Sequence, residues 1–277
     1  MKKNLKFYLK DKLSEKELKL MPTSFDVVGD ILIFSEFPKE LIKKEKLIGK
    51  TILETYHHIK TILKKTKKYS GKFRTPKLEI IAGEKRKETT HKENNVFIML
   101  DVEKVYFSAR MSSERKRISD LIKPNESVLI MFSGAGPYPL VIANNTKCKE
   151  VYGIEINPTA HKYALENIKK NKLENKIKLF LGDVTKIMPK INKKFNRILM
   201  PLPKEGGNFL DLALKYIKKN GIIHFYGFLH EDEFEKAHEN IKKACEKAKK
   251  KFKILNTVKC GQYSPGFYRI CADFEVS

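Results

Sequence analysis

The stretch from Ser127 to Glu155, SVLIMFSGAGPYPLVIANNTKCKEVYGIE, narrows the choice of folds more than any other part of the chain. An apolar run, Val128 to Phe132, reads as a buried strand and stops at Ser133-Gly134-Ala135-Gly136. Pro137 then suits the first position of a helix, where its missing N–H is no loss. A second apolar run, Val151 to Ile156, carries an acid, Glu155, at its end. Strand, glycine turn, helix and a strand ending on an acid form the unit with which a doubly wound α/β sheet holds a nucleoside cofactor. The glycines permit close backbone approach, and the acid accepts hydrogen bonds from ribose hydroxyls. The same turn serves other doubly wound domains, so alone it fixes neither cofactor nor reaction.

Downstream, strands and helices alternate as a parallel sheet requires. A helix is expected over 158–171, with Ala160, Tyr163, Ala164 and Ile168 on its apolar face. Further strands are expected over 177–181, ending at Gly182-Asp183, over 197–200, ending at Pro201-Leu202-Pro203-Lys204, and over 222–228. Helices over 208–219, closed by Asn220-Gly221, and over 231–250 complete the alternation. Strands over 253–259 and 267–275 close it as a hairpin around Ser264-Pro265-Gly266.

The first hundred residues read differently, as a small α+β module. One amphipathic helix is expected over 5–20, stopped by Pro22. Strands flank Gly29-Asp30, and helices follow over 39–47 and 50–66, the latter with Ile52, Leu53, Tyr56, Ile59, Ile62 and Leu63 at helical spacing. Lys64 to Lys68 reads as a basic loop. Strands over 78–83 and 88–94 are expected to form a hairpin, with a third over 95–100. A helix over 112–122 is expected to take its cap from Ser112 or Ser113. The expected division is thus 1–100 and 101–277.

Charge supplies the partner. The chain holds 57 Lys plus Arg against 33 Asp plus Glu, a formal +24, which favours a polyanion through phosphate contacts and counterion release. Most of these lysines are expected to be a solvated surface. Four cysteines, Cys148, Cys245, Cys260 and Cys271, show no CxxC spacing, which argues against a zinc site or a disulfide framework and suits a reducing interior. No run of about 18 apolar residues exists and no apolar segment follows Met1-Lys2-Lys3, so neither a membrane span nor a secretory signal is expected. A cytoplasmic monomer without metal is expected.

The ordered segments SFDVVGDILIF, GKFRTPKLEIIAGEKRKETTHKENN, FSARMSSERKRI, MFSGAGPYPLVIA, VYGIEINPTAHKYALENIKKN, LGDV and GIIHFY run from Ser24 to Tyr226. With them the chain resembles the archaeal and eukaryotic tRNA (guanine-37-N1)-methyltransferase family called Trm5. The resemblance implies a class I S-adenosylmethionine-dependent methyltransferase domain of Rossmann-like α/β fold, preceded by a small α+β domain that binds RNA and shares the active site. It also implies S-adenosyl-L-methionine as cofactor and the anticodon loop of tRNA, at position 37, as substrate. The Met200-Pro201-Leu202-Pro203-Lys204 form is similar to the branch labelled Trm5a, which also methylates a tricyclic wyosine precursor at that nucleotide. A sister family, the wyosine aminocarboxypropyl transferases, shares fold and cofactor and is the alternative.

N1 of guanine carries a proton at neutral pH, so methylating it calls for a base near N1 and a donor near O6. The resemblance places the base on Glu114 and the O6 donor on Arg74. It places the cofactor against Phe132, Gly134, Gly136, Glu155, Ile156, Asp183, Val184 and Pro201, with Arg110 and Arg115 toward the methionine carboxylate. Glu114 read on its own is also a helix-surface acid paired with a neighbouring arginine; Glu155 and Asp183 are also strand-end caps. His91 is expected to be a structural hydrogen-bonder and His224 a core histidine. Candidate RNA contacts are Lys64, Lys65, Lys67, Lys68, Lys85-Arg86-Lys87, Arg115-Lys116-Arg117 and Lys247 to Lys251. Tyr138, Phe73 and Tyr106 are candidates to stack on the extruded base.

Overall fold

The computed structural model describes residues 5–22, 24–201 and 209–277, with the backbone alone at 68–70 and 263. The chain divides into two compact units: residues 1–92 with 98–109, and residues 93–97 with 110–277.

The first unit opens with two short helices, α1 (Leu5–Leu9) and α2 (Glu15–Leu20), where one was expected. Ser14 explains the break. Its hydroxyl accepts from the Glu17 N–H while the Glu17 carboxylate accepts from the Ser14 N–H, a capping box that starts a new helix. Strands β1 (Phe25–Val28) and β2 (Ile31–Phe34) flank the Gly29-Asp30 turn, and a 3-10 turn leads into α3 (Glu45–Thr55). Strands β3 (Thr61–Ser70), β4 (Thr75–Gly83), β5 (Glu88–Glu93) and β6 (Val96–Asp101) follow.

The expected helix over 50–66 is therefore overturned. It ends at Thr55, and Thr61 starts β3, which lies parallel to β2 with Ile62 against Leu32... Ile62 and Leu63 are wholly buried there as strand residues. Tertiary pairing overrides the helical spacing of a short apolar run. The basic loop at Lys64 to Lys68 is strand as well. The first sheet has order β1-β2-β3-β4, and β5 pairs with β6 in a separate two-stranded sheet, so the expected hairpin between 78–83 and 88–94 does not form.

The second unit is built on α4 (Ser112–Asp120), β7 (Ser127–Ile130), α5 (Pro137–Asn145), β8 (Glu150–Glu155), α6 (Pro158–Lys170) and β9 (Ile177–Leu181). It continues with α7 (Val184–Ile191), β10 (Phe195–Met200), α8 (Leu210–Tyr216), β11 (Ile217–His230), α9 (Glu235–Lys247), β12 (Phe252–Ser264) and β13 (Phe267–Val276). Its seven strands run in the order β12-β13-β11-β10-β7-β8-β9. The five from β11 to β9 are parallel and β13 is antiparallel to both its neighbours. The order in which the chain fills the sheet reverses between β7 and β10, with β8 and β9 added on one side and β10 and β11 on the other. In open α/β sheets ligands dock at such a switch point, outside the carboxyl ends of the strands. The centre of the sheet is apolar on both sides, with Leu129, Ile130, Ile198, Leu199 and Ile223 wholly buried.

Two local expectations fail here. No serine side chain caps α4; Met111 holds the cap position, and Ser112, at the first turn, accepts on its carbonyl from Asn94 Nδ2 at 2.9 Å. The helix expected over 208–219 ends at Tyr216, with residue 208 outside the described residues. Asn220, at φ +57°, and Gly221 form a bulge inside β11 instead of a helix cap. A Cβ on Gly221 would come within 2.7 Å of Ile217 Cγ1, so the bulge needs glycine. Among the described residues no helix is long and apolar enough to cross a membrane.

Candidate active site

At the carboxyl end of β7 the chain turns through Gly134 and Gly136, at φ +57° and +87°, a region that side-chain-bearing residues avoid. Ser133 N–H donates to Ile154 O at 2.9 Å, which holds the turn against the end of β8. Glu155 then closes it. One carboxylate oxygen accepts from Gly134 N–H and the other from Asn157 N–H, both at 2.7 Å. Burial pushes the Glu155 pKa up, and these backbone donors work against that rise. Ile156 N–H is a third backbone donor to the carboxylate, and the acceptor capacity left over suits a ligand hydroxyl such as a nucleoside cofactor presents.

The remaining expected cofactor residues stand at neighbouring strand ends. Ile156 follows Glu155 and is half-buried, and Phe132, also half-buried, meets the Phe209 ring edge-on with centroids 5.1 Å apart. Asp183, after β9, caps α7 by accepting from Thr185 N–H at 2.8 Å, so the capping role foreseen for it is real. Val184 is buried in the first turn of α7. Pro201 ends β10; Leu202, Pro203 and Lys204 of the same segment lie outside the described residues.

Glu114 is 4% exposed and sits in a chain of buried polar groups that sequence reasoning did not anticipate. Arg117, one turn along α4, donates to both its oxygens, Nε to Oε2 at 2.7 Å and Nη2 to Oε1 at 2.8 Å. Tyr226 Oη donates to Oε1 at 2.7 Å and in turn accepts from Tyr138 Oη at 3.0 Å. Arg117 also donates to Asp273, which His224 Nδ1 meets at 2.5 Å. On the far side of that ring, Arg197 Nη1 donates to Nε2 at 2.8 Å, and Arg197 grips Glu126 through Nε and Nη2. Because guanidinium only donates, Nε2 must be the acceptor and the ring proton lies on Nδ1, facing Asp273. Burial lowers the His224 pKa, although Asp273 opposes the shift. The Asp273 carboxyl, also opposed by burial, is held below the usual carboxylate range by His224 and Arg117. Burial likewise raises Tyr138, Tyr226 and Cys271.

His224, Cys271 and Asp273 bring one ligand-type atom each within 4.8 Å of one another. Those atoms are already committed to hydrogen bonds, and the guanidinium groups of Arg117 and Arg197 flank them. The cluster is a relay of charge-assisted bonds.

Three expected roles are revised. Arg115 does not present its fork to a cofactor: Nε and Nη2 both bind Glu93, with the side chains of both residues 3% exposed. Tyr138 is buried and committed to Tyr226, so it is no stacking platform; Phe73 and Tyr106 are exposed. Several candidate RNA contacts pair with acids, firmly where half-buried and weakly where exposed, as at Lys116 and Lys247. Lys64 pairs with Glu45, Arg86 with Asp30, Lys87 with Glu103, Lys116 with Asp120 and Lys247 with Asp211. The Lys68 side chain lies outside those described. Arg110 is exposed in the 3-10 turn Ala109–Met111 that leads into α4. In the first unit Arg74 closes the β3–β4 turn at φ +50°, its N–H donating to Gly71 O at 3.1 Å. His91 accepts from Gly29 N–H on Nδ1 at 3.1 Å, the structural role expected of it.

Residues 89–255 match the family model for the TRM5/TYW2 methyltransferase domain, and residues 5–86 match that for the TYW2 N-terminal domain. The chain is 40% identical over 260 residues to the tRNA (guanine(37)-N(1))-methyltransferase Trm5b of Pyrococcus abyssi, covering 94% of this chain and 76% of that one. It is 35% identical over 268 residues to the tRNA (guanine(37)-N(1))/4-demethylwyosine(37)-methyltransferase Taw22 of Nanoarchaeum equitans, covering 79% of this chain and 88% of that protein. Among solved structures, the complex of aTrm5 with tRNALeu superposes with a TM-score of 0.86 at 33% identity, over 100% of this chain and 79% of that one.

Proposed function

The chain belongs to the TRM5/TYW2 methyltransferase family, and on that premise we propose that it methylates N1 of guanosine 37 in the anticodon loop of tRNA, using S-adenosyl-L-methionine. The supporting observation is Glu155, whose two oxygens are fixed at the end of β8 by Gly134 and Asn157 N–H, with acceptor capacity left for a ribose hydroxyl. Bound there, the cofactor supplies a methyl group made electrophilic by its sulfonium.

The chain's own residues do the rest. Glu155 binds the ribose, Ile156 packs on the adenine face, and Asp183 and Val184 meet the adenine edge. Phe132, Gly134, Gly136 and Pro201 shape the pocket, and Arg110 is the cation for the methionine carboxylate. Arg115 is reassigned: with Glu93 it secures residues 93–97 to the second unit. Glu114 takes the N1 proton of guanine, oriented for it by Arg117 and Tyr226, and Arg74 donates to O6 as charge moves there. Incubating the protein with labelled cofactor and tRNA bearing G37 should give 1-methylguanosine at that position. Transfer of the aminocarboxypropyl group instead would overturn the reading in favour of the sister activity.

The Trm5a-like assignment rests on Met200 and Pro201 at the end of β10. The Pyrococcus abyssi relative is named Trm5b, whereas the Nanoarchaeum equitans relative is named for both G37 and 4-demethylwyosine. A second, tricyclic substrate is therefore worth testing directly, by mass spectrometry of nucleosides from tRNA carrying that precursor.

A further inference from the structure

At the amino ends of the parallel strands, opposite the cofactor side of the sheet, lies a recess of about 690 Å³ lined by Asn125, Ser127, Lys149, Lys193, Lys194 and Lys218. Four adjacent strands build it. Ser127 starts β7, Lys149 directly precedes β8, Lys193 and Lys194 precede β10, and Lys218 is the second residue of β11. These lysines are scattered through seventy residues of sequence, and none lies in the basic runs that mark the chain as a polyanion binder. Only their strands' adjacency assembles them.

Their charge is poorly offset, unlike that of the basic runs. Two acids stand at this end: Glu126, directly before β7, is gripped by Arg197, and Glu150 is largely buried and held by Lys193, by Lys178 at 3.4 Å and by Ser127 Oγ at 3.0 Å. Lys218 donates to the neutral Asn196 Oδ1 at 3.0 Å. Among the described residues no carboxylate pairs with Lys149, Lys194 or Lys218. Three cations gathered in one recess, with the nearby acids Glu126 and Glu150 taken by other cations, repel each other until an anion joins them. Lysine is a compact point charge suited to phosphate oxygens and carries no base-reading geometry.

We propose that this recess binds backbone phosphates of the tRNA outside the anticodon stem-loop, as a second contact at the amino end of the sheet, away from methyl transfer. The inference rests on tRNA being the substrate. The test measures affinity of the whole protein for full-length tRNA and for the isolated anticodon stem-loop across a salt series. The wild-type protein is compared with the triple variant Lys149→Gln, Lys194→Gln, Lys218→Gln. Each lost phosphate contact reduces the magnitude of the slope of log K against log salt by about 0.7–0.9, so the triple variant should lose roughly two to three on full-length tRNA. Stem-loop binding and turnover at saturating tRNA should stay unchanged, and the matching Lys→Arg variant should keep the wild-type slope. An unchanged slope on full-length tRNA, or an equal loss on both RNAs, overturns the proposal. If wild-type protein fails to bind or methylate tRNA at all, the functional reading has failed instead. Unchanged thermal unfolding of the triple variant shows that the fold is not what moved.

Discussion

Tyr226 Oη donates to Glu114 Oε1 over 2.7 Å although 112 residues separate the two, so β11 aims a carboxylate that α4 carries. A phenol buried beside a charged group gives a directional bond, stronger than one between neutral partners. Tyr226→Phe deletes that donor and strands the Tyr138 hydroxyl. Bonds to charged groups are worth about 1.5–3 kcal/mol, so turnover should fall roughly 10- to 100-fold if Glu114 handles the proton. Glu114→Gln should cost about 10²–10⁴-fold. In both variants calorimetry should find cofactor affinity unchanged; unchanged turnover in Glu114→Gln would remove Glu114 from the chemistry.

Glu155 offers the complementary separation. Glu155→Ala removes the acceptor for Gly134 N–H and Asn157 N–H together with the expected ribose contacts. Cofactor affinity should weaken by about 10- to 100-fold, from one or two charge-assisted bonds, while tRNA affinity at fixed salt holds. A variant that loses tRNA and keeps the cofactor would place the nucleoside elsewhere.

The buried relay makes stability sensitive to acid. His224 has a lowered pKa in the folded chain, so its contribution is complete above the ordinary histidine value and is lost as pH falls below it. Asp273 is depressed, so its contribution persists above the usual carboxylate value and is lost only as pH falls further, toward its folded value. Both losses run the same way. Urea unfolding should show stability dropping from pH 7 toward pH 5 by at most about 1.4 kcal/mol per unit for the histidine proton. His224→Gln, which cannot take up a proton, should flatten that part of the curve. A wild-type profile already flat between those values would rule out histidine protonation as its source.

Sequence conveyed the second unit well because its signals are local. The Ser133–Gly136 turn, the acid ending β8 and the Asp183 cap each lie within a few residues of the strand they serve. Failures came where distant pairing decides. The run from Ile59 to Leu63 has helical spacing, but β2 draws Thr61–Lys64 into a parallel strand. KKTKK reads as a basic loop, but it is strand, with Lys64 8% exposed and paired with Glu45. Around Glu114 the helix neighbour Arg117 was within reach of i,i+3 reasoning. Tyr226 and Asp273 come from strands more than a hundred residues away, and no spacing rule connects them to α4.

Arg115 and Glu93 bear directly on how the β5–β6 hairpin tip is held. Their bidentate pair is buried, and its desolvation is repaid only while both charges are present. Glu93→Ala removes the carboxylate that grips this buried guanidinium and should destabilise the protein by about 3–5 kcal/mol, read as a fall in the urea midpoint. The arginine also lies 6.0 Å from the centre of the Tyr138 ring, which cannot replace a carboxylate. Removing both charges together, as Glu93→Leu with Arg115→Met, replaces the pair by apolar groups of similar length and should recover most of the loss. Cofactor affinity decides between the two roles considered for Arg115. If the guanidinium serves the hairpin, the double variant binds S-adenosyl-L-methionine like the wild type once folded. A stable double variant with strongly weakened cofactor binding would return Arg115 to the methionine carboxylate.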